Sequence, residues 1–295
     1  MAFRKILCPI DFSTGSQHAL RLAVALCRSS PATLVISHAW SVPDLAFAAG
    51  PFVMPANVID DLIKADEAQL AIARTEAISL GATEVSTLLL EGSPADRIVA
   101  ALQEDQGFDL VVVGTHGESG LRRVLLGSVA EHVVRHAPCS VLVAHERLED
   151  APFRTVLCPV DFSDSARDAT RIAAELTEPG GSGIQLLHAV GVPAAYRRNA
   201  AMTDAIGEID RTATRVLESW AEKVRETARA TVTAQTRMGR AGPEIMAELS
   251  TAIYDLVITG THSRTGIKRA LFGSVAEKLV RHAWCSVLVA RTRDA

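Results

Sequence analysis

The segment Phe3–Ser13, FRKILCPIDFS, returns 150 residues later as Phe153–Ser163, FRTVLCPVDFS, with 8 of 11 positions identical. Gly114–Ala144 returns as Gly260–Ala290 with 21 of 31 positions identical, at an offset of 146. Matches this dense at nearly one offset mean that one domain is written twice, with a net loss of four residues from the middle of the second copy. Whatever fold one copy adopts the other must adopt too, and each must close its own core. The break falls in the short charged connector His145–Pro152, which divides the chain into domains 1–147 and 152–295.

Within copy one, the apolar runs KILCPI, ATLVIS, VSTLLL, DLVVV and CSVLVA are short, β-branched and nearly continuous, as strands buried on both faces are. Helical patterns lie between them, near 15–29, 59–80, 94–106 and 128–136. The third opens with Ser93 as N-cap and Pro94 at the first helical position. Copy two repeats the plan with RTVLCPV, GIQLLHAV, ATVTAQT, DLVITG and CSVLVA, and Gly242-Pro243 opens its third helix. The alternation predicts an α/β fold: two tandem doubly wound domains, each a five-stranded parallel sheet flanked by helices.

A chain of 295 residues with 48% hydrophobic and 22% charged residues is globular and long enough for two cores. A net charge of −4 with no long block of like charge argues against nucleic acid and against a polybasic membrane surface. The start, MAFRKILCPIDFS, enters strand-like sequence without a signal-peptide core, so a cytoplasmic location is expected. Five cysteines without CxxC spacing, mostly inside apolar strands (Cys8, Cys139, Cys158, Cys285), read as reduced buried thiols, and no metal cluster emerges.

The repeated stretch GTHGESGLRRVLLGS, Gly114–Ser128, leaves the fourth strand and feeds a helix; its second copy, Gly260–Ser274, reads GTHSRTGIKRALFGS. In an open α/β sheet, ligands sit beyond the carboxyl ends of the strands where strand order reverses. Glycines there allow positive φ and close approach, and the helix amides suit phosphate. Arg122, Arg123, Lys268 and Arg269 add positive charge. A second reading stands beside this one: Ser128-Val-Ala-Glu131 and Ser274-Val-Ala-Glu277 are capping boxes that turn the chain and start a helix. Neither the Walker nor the Rossmann glycine pattern is present. Asp11 and Asp161, at the ends of the first strands, are placed to accept from ribose or base donors, or to form an Asx turn.

CPIDFS, LVISHAW and G-x2-G-x9-G-S followed by VAEHVVRHAPCSVLV resemble the universal stress protein family, twice over the whole chain. The resemblance implies a tandem member of its ATP-binding branch, with a Rossmann-like fold of the adenine nucleotide alpha hydrolase kind and ATP, with or without Mg, as ligand. By that resemblance Asp11 contacts the adenosine end and the Ala39 backbone the adenine. Gly114, Gly117, Gly127, Ser128 and the amide of Val129 hold phosphates and ribose. Asp161, Ala189, Gly260, Gly273, Ser274 and Val275 match in copy two, but Ser263 replaces a glycine, so copy one is expected to be the tighter site. The family also uses its last strand for dimerisation. Here the two CSVLVA strands, read as exposed sheet edges, are expected to pair within the chain and leave further homodimerisation open.

His116 and His262 read as loop residues near phosphate rather than catalysts, and His136 and His282 as helix-end residues; His38 and His188 follow strand residues. Ser41–Val58 reads as an apolar irregular cover over the core, through Phe47, Phe52 and Met54, in preference to a lid, and the segment around Val190–Gly207 as its counterpart, carrying Arg197, Arg198 and Asn199. The expected function is a nucleotide-dependent stress-response or regulatory binding module with an unidentified protein partner. A slow ATPase and a scaffold with vestigial pockets are the alternatives.

Overall fold

The computed structural model describes residues 3–29, 31–41, 46–47, 50–51, 56–115, 126–145, 153–177, 183–193, 196, 200–261 and 273–291. The first half runs β1 (Lys5–Pro9), α1 (Thr14–Ser29), β2 (Thr33–Trp40), β3 (Ala46–Phe47), β4 (Gly50–Pro51), α2 (Ala56–Ser79), β5 (Glu84–Glu91), α3 (Pro94–Glu104), β6 (Leu110–Gly114), α4 (Ser128–His136) and β7 (Ser140–Ala144). The second runs β8 (Thr155–Pro159), α5 (Asp164–Leu176), β9 (Gly183–Val190), a 3-10 turn at Ala200–Met202, α6 (Thr203–Arg225), β10 (Thr231–Met238), α7 (Ala241–Thr251), β11 (Leu256–Gly260), α8 (Ser274–His282) and β12 (Ser286–Ala290).

The main sheet has ten strands in the order β10-β9-β8-β11-β12-β7-β6-β1-β2-β5. Within each half the strands are parallel and the order reverses between the first strand and the fourth. That reversal opens a crevice at the carboxyl ends of β1 and β6, and again at β8 and β11. The halves meet where β7 and β12 pair antiparallel, Leu142 opposite Leu288.

Inner strands are apolar on both faces because helices cover both. On one face α1, α2, α5 and α6 pack onto Ile6, Leu34, Val112, Ile184 and Ile258; on the other α3, α4, α7 and α8 pack onto Leu7, Val111, Val141, Leu157 and Val257. Both cores run without a break through the two halves. The outer strands β5 and β10 have exposed residues along their length, as edge strands do.

The element boundaries correct three expectations. Segment 41–58 is not wholly irregular: β3 and β4 form a small antiparallel pair, and α2 already starts at Ala56. Helix α7 opens at Ala241, so Pro243 falls at its third position, where first-turn amides have no intrahelical partner to lose. Ser128 and Ser274 are not N-caps but the first residues of α4 and α8, and the caps are Gly127 and Gly273. At the opposite end of the sheet Asp109 ties β6 to β1, its Oδ2 accepting from the amides of Arg4 (2.7 Å) and Lys5 (3.1 Å). Asp255 does the same for Arg154 and Thr155, both at 3.0 Å.

Candidate functional site

The chain leaves β8 through Val160 and Asp161 into a tight turn. Asp161 Oδ1 accepts from the amide of Ser163 (3.1 Å) and from its hydroxyl (2.5 Å), and Ser163 Oγ in turn accepts from the amide of Ala166 at 3.2 Å to cap α5. Asp11 and Ser13 repeat the arrangement at 3.1 and 2.5 Å. The Asx-turn reading of these aspartates therefore holds in both copies.

The turn forces Phe12 and Phe162 to φ +62°. That left-handed backbone costs a side-chain-bearing residue ~1–2 kcal/mol, so something must hold it. Each phenyl ring lies 4.5 Å from a histidine ring, Phe12 on His38 and Phe162 on His188. The histidines are latched to the same turns: His38 Nδ1 donates to Ile10 O at 2.8 Å and His188 Nδ1 to Val160 O at 2.6 Å. Because a carbonyl only accepts, Nδ1 carries the hydrogen. The repeated strand histidines thus fasten the β1–α1 and β8–α5 turns that present the aspartates.

In copy two, a cavity of about 270 Å³ opens at this crevice. It is lined by Asp161, Ala189, Gly260, Gly273, Ser274 and Val275, the six copy-two residues that the resemblance singled out and the structure describes. Pro159, Leu187 and Ile245 add apolar wall, while Ser165, Thr259 and Thr261 add hydroxyls. Sequence reasoning missed these six. The signal for Thr261 was present in the repeated Gly-Thr-His triplet, whereas Ser165 has Gly15 as its copy-one counterpart and left no trace in the repeat.

The start of α8 governs what this cavity can hold. Gly273 has φ −61° and donates its own amide to Thr261 O at 3.1 Å, while its carbonyl accepts the first helical bond from Glu277. As N-cap it has no side chain to offer the amides of Ser274, Val275 and Ala276. Those first-turn donors, at the positive end of the helix dipole, line a cavity wall and are suited to an anion. Gly127, at φ −60° and with its amide on Thr115 O at 2.9 Å, repeats the geometry in copy one.

At the strand ends, Gly114 and Gly260 are needed for a reason other than positive φ. Among the described residues, the glycines with positive φ are Gly81, Gly92 and Gly239. A Cβ on Gly114 would lie 2.7 Å from Gly15 O, and one on Gly260 would lie 2.5 Å from Ser165 Oγ. The fourth strand ends against the helix that follows the first, and only a missing side chain lets them meet. Asp11, Ala39, Gly114, Gly127, Ser128 and Val129 occupy, at the ends of β1, β2 and β6 and the start of α4, the places their counterparts hold in copy two. Gly117, Ser263, His116, His262, Arg122, Arg123, Lys268 and Arg269 lie outside the described residues, as do Phe52, Met54, Arg197, Arg198 and Asn199.

A model of the universal stress protein family matches residues 2–145 and again 152–291, and the chain belongs to that family. A universal stress protein of Methanocaldococcus jannaschii is 36% identical over 147 residues, covering 48% of this chain and 81% of that relative. The crystal structure of a universal stress protein from Archaeoglobus fulgidus superposes with a TM-score of 0.70 over 98% of both chains at 18% identity, a likeness of fold. Among the described residues no helix is long and apolar enough to cross a membrane, and no group of three or more potential metal ligands occurs.

Proposed function

We propose that the chain is an ATP-binding stress-response or regulatory protein, a binding module in which each half, 1–147 and 152–295, carries one adenine-nucleotide pocket. The observation that carries this reading is the copy-two cavity, where an acid-bearing turn, an apolar wall and the uncapped amides of α8 converge. Its volume of about 270 Å³ lies near the lower end of small-molecule clefts, ~300–1,000 Å³. Phosphate oxygens would take the α8 amides, the base would lie against Pro159, Leu187 and Ile245, and Asp161 would accept from ribose. The corresponding residues of copy one would hold a second nucleotide, and more tightly, because Gly117 stands where copy two has Ser263.

The two halves work as one body through β7 and β12. Since those strands occupy each other, a homodimer would have to form through other surfaces. Five free, buried thiols suit a reducing compartment and hence the cytoplasm.

Nucleotide extracted from freshly purified protein and identified by chromatography, followed by calorimetry with ATP, tests the proposal. ATP in the extract, or heat that Asp11→Ala and Asp161→Ala together abolish, supports it. An empty extract and no heat would leave a scaffold with vestigial pockets. Single-turnover phosphate release from the loaded protein then distinguishes a holder of ATP from a slow ATPase.

A further inference from the structure

Ser37 of β2 is completely buried, and its Oγ has no hydrogen-bond partner. Its backbone is fully used: its carbonyl accepts from the amide of Ile10 at 2.7 Å, and its Cα sits in register between Pro9 of β1 and Leu88 of β5. Burying a hydroxyl without a partner opposes folding, and a strand at this position is better served by an apolar side chain. Copy two has one. Leu187, opposite Pro159 in the same register, is the counterpart of Ser37 and forms part of the cavity wall.

The neighbouring positions are the same in both halves. Pro9 matches Pro159, Ala39 matches Ala189 and Ile98 matches Ile245, the second of each pair lining the copy-two cavity. Strand alternation puts Ser37 on the same face as Val35 and Ala39, the face against which α3 packs. At this position of the wall copy two carries an isobutyl group where copy one carries a hydroxymethyl group.

We infer that Ser37 is a specificity-determining residue of the copy-one pocket, where its hydroxyl meets the polar edge of a bound heteroaromatic base. A serine hydroxyl both donates and accepts, so it can pair with a ring nitrogen or an exocyclic amine. Copy two, with Leu187, offers the base only apolar contact at that point. The two pockets then read the base differently at this point, copy one through a hydroxyl and copy two through apolar contact. This inference rests on the nucleotide-binding reading of the crevice.

The test uses the full chain carrying Asp161→Ala, which confines ATP binding to copy one, with and without Ser37→Ala. Calorimetry with ATP is expected to show affinity about ten-fold weaker in the alanine variant, the equivalent of ~1.4 kcal/mol. The melting temperature without nucleotide is expected to be unchanged or higher, because no bond is lost in the empty protein. An unchanged ATP affinity overturns the inference while leaving the nucleotide-binding reading intact. A lowered melting temperature of the empty variant overturns it as well, since the hydroxyl then serves the fold. An Asp161→Ala chain that fails to bind ATP while the parent binds it leaves copy one without a working pocket and overturns the inference; if the parent fails as well, the nucleotide-binding reading falls with it.

Discussion

Arg281 of α8 donates from Nη2 to Oε1 of Glu131 in α4 at 2.7 Å, joining two helices that begin at the two crevices and come from different halves of the chain. Arg135 closes the group, 3.2 Å from Glu131 and 3.9 Å from Glu277, and Arg281 lies 3.3 Å from Glu277. Two arginines and two glutamates thus surround the approximate symmetry axis between the halves, with Glu131 in the first turn of α4. The Arg281 and Glu131 side chains are 40% and 38% exposed, so solvent screens them and each pair contributes only ~0–1 kcal/mol. A double-mutant cycle of Glu131→Ala and Arg281→Ala should give a coupling below ~1 kcal/mol that shrinks further in high salt. A large, salt-insensitive coupling would contradict this account of the junction.

The junction itself depends on the β7–β12 ladder, in which Val141, Leu142 and Val143 face Val289, Leu288 and Val287. Proline at Val143 or Val289 removes a ladder donor in the middle of a ten-stranded sheet. Either variant should melt earlier than the parent and in two resolved transitions, as the halves uncouple. Calorimetric scans that keep one transition at the parent temperature would show that the ladder does not hold the halves together.

Adding a methyl at Gly114 or Gly260 should destabilise the protein by ~1–3 kcal/mol, the usual range for overpacking. The remedy should differ between copies. Near Gly260 the two closest atoms are Oγ and Cβ of Ser165, whereas near Gly114 the obstacle is the backbone carbonyl of Gly15. Ser165→Gly should therefore recover part of the stability lost in Gly260→Ala, measured by urea unfolding. No recovery would mean that the Ser165 side chain is not what crowds the site.

The exchange of Gly117 and Ser263 is expected to account for unequal nucleotide affinities. Gly117→Ser should weaken copy one and Ser263→Gly should strengthen copy two, each by ~1–2 kcal/mol if that position needs a left-handed backbone, or about five- to thirty-fold. Calorimetry with the other pocket silenced through Asp11 or Asp161 reads each site alone. Equal parent affinities, insensitive to both exchanges, would remove this position from the phosphate grip.

The thiols give a prediction that does not involve nucleotide. Burial drives the Cys8 and Cys158 thiols far above their ordinary value, helped at Cys8 by the neighbouring Cys27, and burial pushes Cys27 up to about 11. A raised value means less thiolate at a given pH, and thiolate is the reactive form. At pH 8 a disulfide reagent should label these three positions slowly in the native protein, and all five cysteines promptly in denaturant. Rapid native labelling of Cys8 or Cys158 would contradict their burial.

The duplication, the alternation of strands and helices, and the position of the crevice were legible in the chain because they depend on local periodicity and on repeated words. The same holds for the placement of Asp161 beside Gly273 and Ser274, which follows once strand order reverses between β8 and β11. Other properties belong to contacts between residues far apart in sequence. Gly114 is glycine because Gly15, 99 positions earlier, lies against it, and no spacing rule within the loop could show that. Ser274 looks like a cap in the sequence, yet the chain turns one residue earlier and leaves the α8 amides open. The orphaned hydroxyl of Ser37 emerges only when strands and helices from the whole first half close over it. Periodicity tells a residue which face it occupies; only the packed neighbours decide what that face meets.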